Sequence, residues 1–144
     1  MNNLDQIIQL SVAPVFLLAG IGALLNVMSS RLARVVDRAR LVEQNIINLE
    51  GQQQVVAETE LIALWQRIGL SNWSIGLCTF AGLLVCLLVV CLFTSSALSF
   101  SLDPLVAGLF VLSLLFLIAS LTTFLLEIRL ATKTLRSGKE SRVN

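Results

Sequence analysis

The chain contains no histidine and no tyrosine among its 144 residues. Imidazole-based metal sites and Ser-His or Cys-His nucleophile pairs are therefore impossible within this chain. The three cysteines, Cys78, Cys86 and Cys91, lack metal-ligand spacing, which predicts small, reduced packing residues. No pair of acidic residues occurs in the long apolar runs, so an intramembrane aspartyl pair is also excluded. We expect no catalytic residue, metal ion or cofactor.

Charge is scarce as well. Only 13% of the residues are charged and 56% are hydrophobic, with a mean hydropathy of +0.88. Three runs without Lys, Arg, Asp or Glu cover about 7–28, 75–98 and 105–126. Each exceeds about 20 residues, and a helix of that length spans roughly 30 Å, enough to cross a hydrocarbon core. The composition predicts an all-α integral membrane protein with three transmembrane helices in a lipid bilayer. A soluble chain of this size would have too little polar surface to bury them.

The basic residues predict the orientation. All ten flank the runs on one side: Arg31, Arg34, Arg38, Arg40, Arg67, Arg129, Lys133, Arg136, Lys139 and Arg142. Short loops rich in Lys and Arg stay in the cytoplasm. We therefore expect the N-terminus outside and the C-terminus inside, with acidic Asp5 and Asp103 on the outer side. A cleaved signal peptide would carry its positive charge before the first run, not after it.

The segment between the first two runs predicts a helical hairpin. No Gly or Pro occurs between Gly22 and Gly51, so the first helix should continue to about Glu50, and Gly51-Gln52-Gln53-Gln54 should form the turn. Apolar residues recur at alternating spacings of three and four, as in coiled coils, at Leu32, Val35, Ala39, Val42, Ile46 and Leu49, and again at Ala57, Leu61, Leu64 and Ile68. We expect an antiparallel cytoplasmic hairpin over about 29–69, although the same seam could contact another subunit.

The third helix has clear boundaries. Asp103 and Pro104 suit its first turn, and Gly138 is well placed to end it. The helix should extend into the cytoplasm within the tail 127–144. The whole chain, 1–144, is expected to form a single membrane domain.

The first helix carries small and polar residues in an otherwise aliphatic segment. Ala19, Gly20 and Ala23 predict close helix packing, since small residues let membrane helices approach. A broad common face holds Ser11, Leu18, Gly22, Asn26 and Ser30. In several copies of the helix such a line could surround a pore. Otherwise Asn26 would bond to another helix.

A second polar line follows the third helix through Ser113, Ser120, Thr123 and Glu127. A carboxylate at the membrane edge is costly unless it is hydrated or paired, and Arg31 and Arg34 emerge at the same depth on the first helix. Glu127 is therefore predicted to form an ion pair with them, or else to sense protons or bind ions. Asp37 lies among Arg34, Arg38 and Arg40 and should belong to a surface charge network.

Three stretches of sequence resemble a known family. The first covers residues 13–28 and reads Ala-Pro-Val-Phe-Leu-Leu-Ala-Gly-Ile-Gly-Ala-Leu-Leu-Asn-Val-Met. The second follows it and reads Ser30-Arg31-Leu32-Ala33-Arg34-Val35-Val36-Asp37-Arg38-Ala39-Arg40. Together with Glu127-Ile128-Arg129-Leu130-Ala131, they resemble a bacterial family of small three-span inner-membrane proteins known only as a domain of unknown function. Val12 precedes Ala13-Pro14 where the family is expected to have Ile-Ser-Pro, so the hydroxyl of that motif is lost. The resemblance covers nearly the whole chain and implies a bacterial inner membrane, but no activity.

Three classes of function remain open. The first is a non-enzymatic, homo-oligomeric scaffold or regulatory subunit that docks a cytoplasmic or membrane protein partner through its cytoplasmic helices. The second is a homo-oligomeric ion channel whose first helix lines the passage. A membrane enzyme is the third, and it lacks an acid, base and nucleophile constellation. Nucleic acid is not an expected partner, because acidic residues interleave with the arginines and anionic lipid headgroups are a better match.

Overall fold

A computed structural model describes residues 3–98 and 103–140. It contains three helices, α1 (Asn3–Ile46), α2 (Gln52–Leu98) and α3 (Asp103–Glu140), and no strand among the described residues. Each helix is long and apolar enough to cross a membrane. The prediction of an all-helical protein with three membrane-spanning helices is confirmed at this level.

The connection between α1 and α2 lies earlier in the chain than expected, at residues 47–51. Helix α1 ends at Ile46, four residues before the predicted Glu50, and the backbone amides of Asn48 and Leu49 bond to carbonyls three residues earlier, each at 3.1 Å. Gly51 has φ of 65°, a left-handed conformation that glycine adopts without strain. The glutamines predicted in the turn instead form the start of α2, because glutamine is a good helix former.

Helix α3 begins at Asp103, as predicted, and continues through Gly138 to Glu140. The prediction that Gly138 ends the helix was therefore wrong. One glycine in a helix interior costs only about 1 kcal/mol relative to alanine, which does not by itself stop a helix.

The described residues form two compact units that divide each helix once. The first unit comprises residues 3–26, 76–98 and 103–120. The second unit comprises residues 27–75 and 121–140. Each has its own core.

The core of the first unit is built on small side chains of α2. Cys78 and Ala81 are fully buried, and Gly82 lies against α1. A Cβ atom at Gly82 would lie 3.4 Å from Cγ2 of Ile21 and 3.9 Å from Cδ1 of Leu18. The rings of Phe80 on α2 and Phe116 on α3 meet edge to face, with centroids 4.8 Å apart. Small residues let the helix backbones come close, which is the usual basis of helix packing in membranes.

The core of the second unit lies between α1 and α2. Its buried residues are Val35, Ala39 and Val42 of α1 with Leu64 and Ile68 of α2. Partly buried side chains surround them: Leu32, Val36, Ile46, Ala57 and Leu61. Every residue of the predicted seam except Leu49 belongs to this cluster. The cytoplasmic position of this helix pair stays a prediction.

Five buried positions of α1 repeat every seven residues, at Pro14, Ile21, Met28, Val35 and Val42, and Ser11 and Ala39 are buried as well. A repeat of seven corresponds to 3.5 residues per turn, slightly fewer than the 3.6 of a straight helix. This spacing keeps one narrow stripe of a long helix turned inward. The remaining faces of α1 are left for lipid, water or other molecules.

We predict that Gly82→Leu lowers the free energy of unfolding by about 1–3 kcal/mol, because the added side chain has to displace Ile21 or Leu18. Gly108→Leu is the matched control, since a Cβ there meets nothing within 4 Å. Thermal unfolding in lipid–detergent micelles measures both. Equal stability of the two variants would contradict the proposed close approach of α1 and α2.

Candidate functional sites: a buried carboxylate and an exposed polar helix face

The second unit contains a buried ion pair between α2 and α3. Glu127 is 1% exposed and Arg67 is partly exposed. The Arg67 guanidinium donates from Nη2 to Oε1 of Glu127 at 3.0 Å and from Nε to the same oxygen at 3.3 Å. A carboxylate removed from water is strongly disfavoured unless it is paired. Arg67 supplies the compensating charge and connects α2 to α3.

The second carboxylate oxygen of Glu127, Oε2, is buried and has no hydrogen-bond partner among the described residues. An unsatisfied buried acceptor typically costs about 1–3 kcal/mol. The arrangement leaves a lone-pair position that a hydrogen-bond donor of a small polar molecule could occupy. Both Arg67 donors bond to Oε1, so Oε2 is left without a donor.

Polar side chains on α2 continue the face that carries Arg67. Ser71 and Ser74 lie one and two turns further along and are both buried. The Ser74 hydroxyl also contacts the sulfur of Met28 on α1 at 3.6 Å. Together, Arg67, Ser71 and Ser74 form a polar strip that faces the interior of the second unit.

The prediction that Glu127 forms an ion pair with Arg31 and Arg34 was wrong. The structure pairs Glu127 with Arg67, whereas Arg31 places its guanidinium 5.4 Å from the centre of the Phe124 ring, and Arg34 is exposed. The cation-π contact gives Arg31 a different role beside α3. The spacing of residues along α2 could have indicated Arg67 as the partner of Glu127. One helical face of α2 carries Arg67, Ser71, Ser74 and Cys78.

The predicted charge network around Asp37 also differs. Arg38 reaches across to α2 and bonds to Oε1 of Glu60 from Nη2 at 2.8 Å and from Nε at 3.0 Å. Asp37 is exposed and forms no ion pair with any residue in 8–95 or 103–130. The neighbouring arginine pairs across the two helices rather than along α1.

The polar line of α1 is only partly accessible. Gly22, Asn26 and Ser30 are exposed, and Leu18 is half-buried. Ser11 is 9% exposed, and its hydroxyl donates to the Ile8 carbonyl at 3.0 Å. Ser11 therefore does not extend the accessible part of the line.

Three residues expected to pack, Ala19, Gly20 and Ala23, are exposed on α1. A Cβ atom at Gly20 or Gly22 would meet nothing within 4 Å. The chain's own packing therefore does not use these small residues. We call these residues, together with the exposed Gly22, Asn26 and Ser30 of the same helix, the open face of α1.

The second predicted polar line lies on the buried side of α3. Ser113 and Ser120 are 1% and 0% exposed, and Ser113 donates to the Phe110 carbonyl at 2.7 Å. Thr123 is half-buried, and Glu127 is covered. Within the part of the chain that the structure describes, no group of three or more Cys, Asp or Glu residues could hold a metal ion.

We predict that Arg67→Met lowers the free energy of unfolding by about 3–5 kcal/mol, because the Glu127 carboxylate is left buried without a countercharge. Arg67→Met combined with Glu127→Leu should recover most of this loss, since two apolar side chains then replace the pair. Chemical denaturation in mixed micelles measures the change.

Arg38→Met is the matched control for that experiment. Its partner Glu60 is exposed, so removing the charge should cost less than about 1 kcal/mol. A double variant as unstable as Arg67→Met alone would contradict the assignment of the loss to an unpaired carboxylate.

A family model described as Protein of unknown function (DUF2721) matches residues 11–137, so the chain belongs to that family. The predicted resemblance to a family of unknown function is thereby confirmed. No curated protein and no solved structure matches the chain.

Proposed function

We propose that this member of the DUF2721 family is a non-enzymatic scaffold or regulatory subunit of a membrane assembly. Copies of the chain associate through the open face of α1, and the paired ends of α1 and α2 dock a protein partner. The premise is a multi-pass membrane protein in contact with a lipid bilayer.

The exposed amide of Asn26 carries the proposal. Asn26 lies in an apolar helix of membrane-spanning length but outside the chain's own core. In hydrocarbon an unpaired amide costs several kcal/mol, whereas a bond to another helix removes that cost. An amide group donates and accepts, so Asn26 of one copy can bond to Asn26 of another. Copies inserted in the same direction bring this residue to the same depth.

The small residues of the open face favour the same arrangement. Gly22 lies one turn before Asn26, and Ala19 and Ala23 border it. Such residues let two backbones approach until a side-chain amide can reach its partner. A symmetric contact uses the same surface on each copy and therefore needs no second partner protein.

The end of the α1–α2 pair supports docking of a different protein. Ile47 in the turn is 84% exposed, and Val55 and Val56 in the first turns of α2 are 62% and 64% exposed. Large apolar side chains grouped on a surface outside the bilayer mark interaction sites. The basic residues favour a cytoplasmic location for this end, in a bacterial inner membrane with the N-terminus outside.

A homo-oligomeric ion channel is the second candidate, and the exposed polar groups of Asn26 and Ser30 favour it. The other polar groups of the predicted lines do not, since Ser11, Ser113 and Ser120 are buried inside one chain. A pore would then be lined by a short polar segment and by exposed aliphatic side chains. The scaffold requires no continuous polar line, so we rank it first.

We predict that the protein in lipid nanodiscs is an oligomer by native mass spectrometry and that Asn26→Leu shifts it toward monomer. The expected loss in association is on the order of threefold to thirtyfold, from about 0.6–2 kcal/mol for an interhelical hydrogen bond. Gly22→Leu should act similarly by blocking close approach. A wild-type monomer would overturn self-association.

Gly108→Leu is the control for bulk, because Gly108 is also exposed with open space around it but lies on α3. It should leave the subunit count unchanged. Ion flux into liposomes then separates the two candidates. Flux that depends on Asn26 would favour the channel over the scaffold, whereas oligomers without flux are expected for the scaffold.

A further inference from the structure

The first unit contains an apolar pocket that the proposed function does not use. It has a volume of about 340 Å³ and is lined by residues of all three helices. Helix α1 contributes Ala13 and Pro14 from its first turns, and α2 contributes Leu88 and Leu92 near its end. The volume falls at the lower end of the range for small-molecule pockets, roughly 300–1,000 Å³.

The pocket exists because small side chains occupy positions between large ones. Ala13 on α1 and Ala107 on α3 leave space that Leu, Val or Phe side chains would fill. Pro14 also lines this space, and its compact ring adds little bulk. The gap is therefore a product of the sequence on two helices.

Residues of α3 line the pocket along its length and place a charged group at one end. Asp103, Ala107 and Phe110 lie on one face over two turns, about 10 Å along the helix axis. Asp103 is exposed and is the only charged residue in the lining, so its carboxylate marks one end. The remaining lining is apolar. A ligand that fits has an apolar body and a positive group at one end.

The position of the pocket among membrane-spanning helices indicates that such a ligand comes from the lipid bilayer. The pocket is open along one side, and the helices that line it are those long and apolar enough to cross the bilayer. Molecules that reach it from the bilayer are lipids, whose acyl chains match the apolar lining. A carboxylate at the end of the pocket selects a headgroup that carries an amine, since a charged amine and a carboxylate attract and can form hydrogen bonds.

We infer that this pocket binds part of one acyl chain of an amine-bearing phospholipid, with the headgroup amine beside Asp103. The inference is independent of assembly, because the pocket is built within one chain. One lipid per chain is expected whether or not copies associate through the open face of α1.

Native mass spectrometry of protein released from bilayers of equal parts phosphatidylethanolamine and phosphatidylglycerol tests this. The wild type should retain one phosphatidylethanolamine per chain in preference to phosphatidylglycerol. Asp103→Asn should remove most of the preference while lipid is still retained, because the apolar lining is intact. A preference unchanged in Asp103→Asn would overturn the assignment of the amine to this carboxylate.

Ala107→Phe tests the pocket itself, because the ring fills the space that the acyl chain needs. Retention of either lipid should fall severalfold. Val111→Phe is the matched control, since Val111 lies one turn further along α3, is exposed and does not line the pocket. Equal retention by wild type, Ala107→Phe and Val111→Phe would overturn the pocket as the binding site, and a wild type that retains no lipid would overturn the inference as a whole.

Discussion

Several polar side chains turn inward in this protein, and many large apolar side chains turn outward. Lipid tails are as apolar as leucine, so hydrophobicity alone does not draw membrane helices together. Close approach and hydrogen bonding decide which face packs. The buried polar residues are Ser11, Ser71, Ser74, Ser113, Ser120 and Glu127, whereas Phe16, Leu83, Val90, Leu115 and Ile118 are among the exposed apolar ones. The buried ion pair and the heptad stripe of α1 both follow from this constraint.

Asn26 departs from that arrangement. Its amide lies on the open face of α1 with small neighbours, although the buried polar groups of α1, α2 and α3 face the interior. Thr94 is also exposed, but its hydroxyl donates to the Val90 carbonyl of its own helix, whereas the Asn26 amide requires another surface. In the proposed assembly a second copy supplies it, and the exposed apolar end of the α1–α2 pair is left for a different protein.

The sequence predicts much of the fold, because length and hydropathy define the spans and a repeat of seven defines a seam. Nearly all seam residues from Leu32 to Ile68 pack in the cluster where they were expected. The rotation of one helix relative to another is not encoded in spacing along a single helix. For that reason Arg67 was missed as the partner of Glu127, and the accessibility of Ser11 was misjudged.

Local chemistry explains the shifted turn. Gly51 supplies the left-handed conformation on which the turn depends, but glutamines are compatible with either a turn or a helix. Packing of Ala57 and Leu61 against α1 extends α2 back toward Gln52. The apolar pocket could not be predicted from the sequence either, because Ala13 and Ala107 leave a space only where the three helices come together.

The most direct test of the account is disulfide cross-linking between copies at Ser30 in bilayers. Ser30→Cys is introduced after Cys78, Cys86 and Cys91 are replaced by alanine, and Val111→Cys in the same background is the control. Two cysteines can form a disulfide only when their Cα atoms lie within about 7 Å. Association through the open face of α1 predicts cross-linked dimers for Ser30→Cys and few for Val111→Cys. Absence of dimers at position 30, or equal yields at both positions, would contradict it.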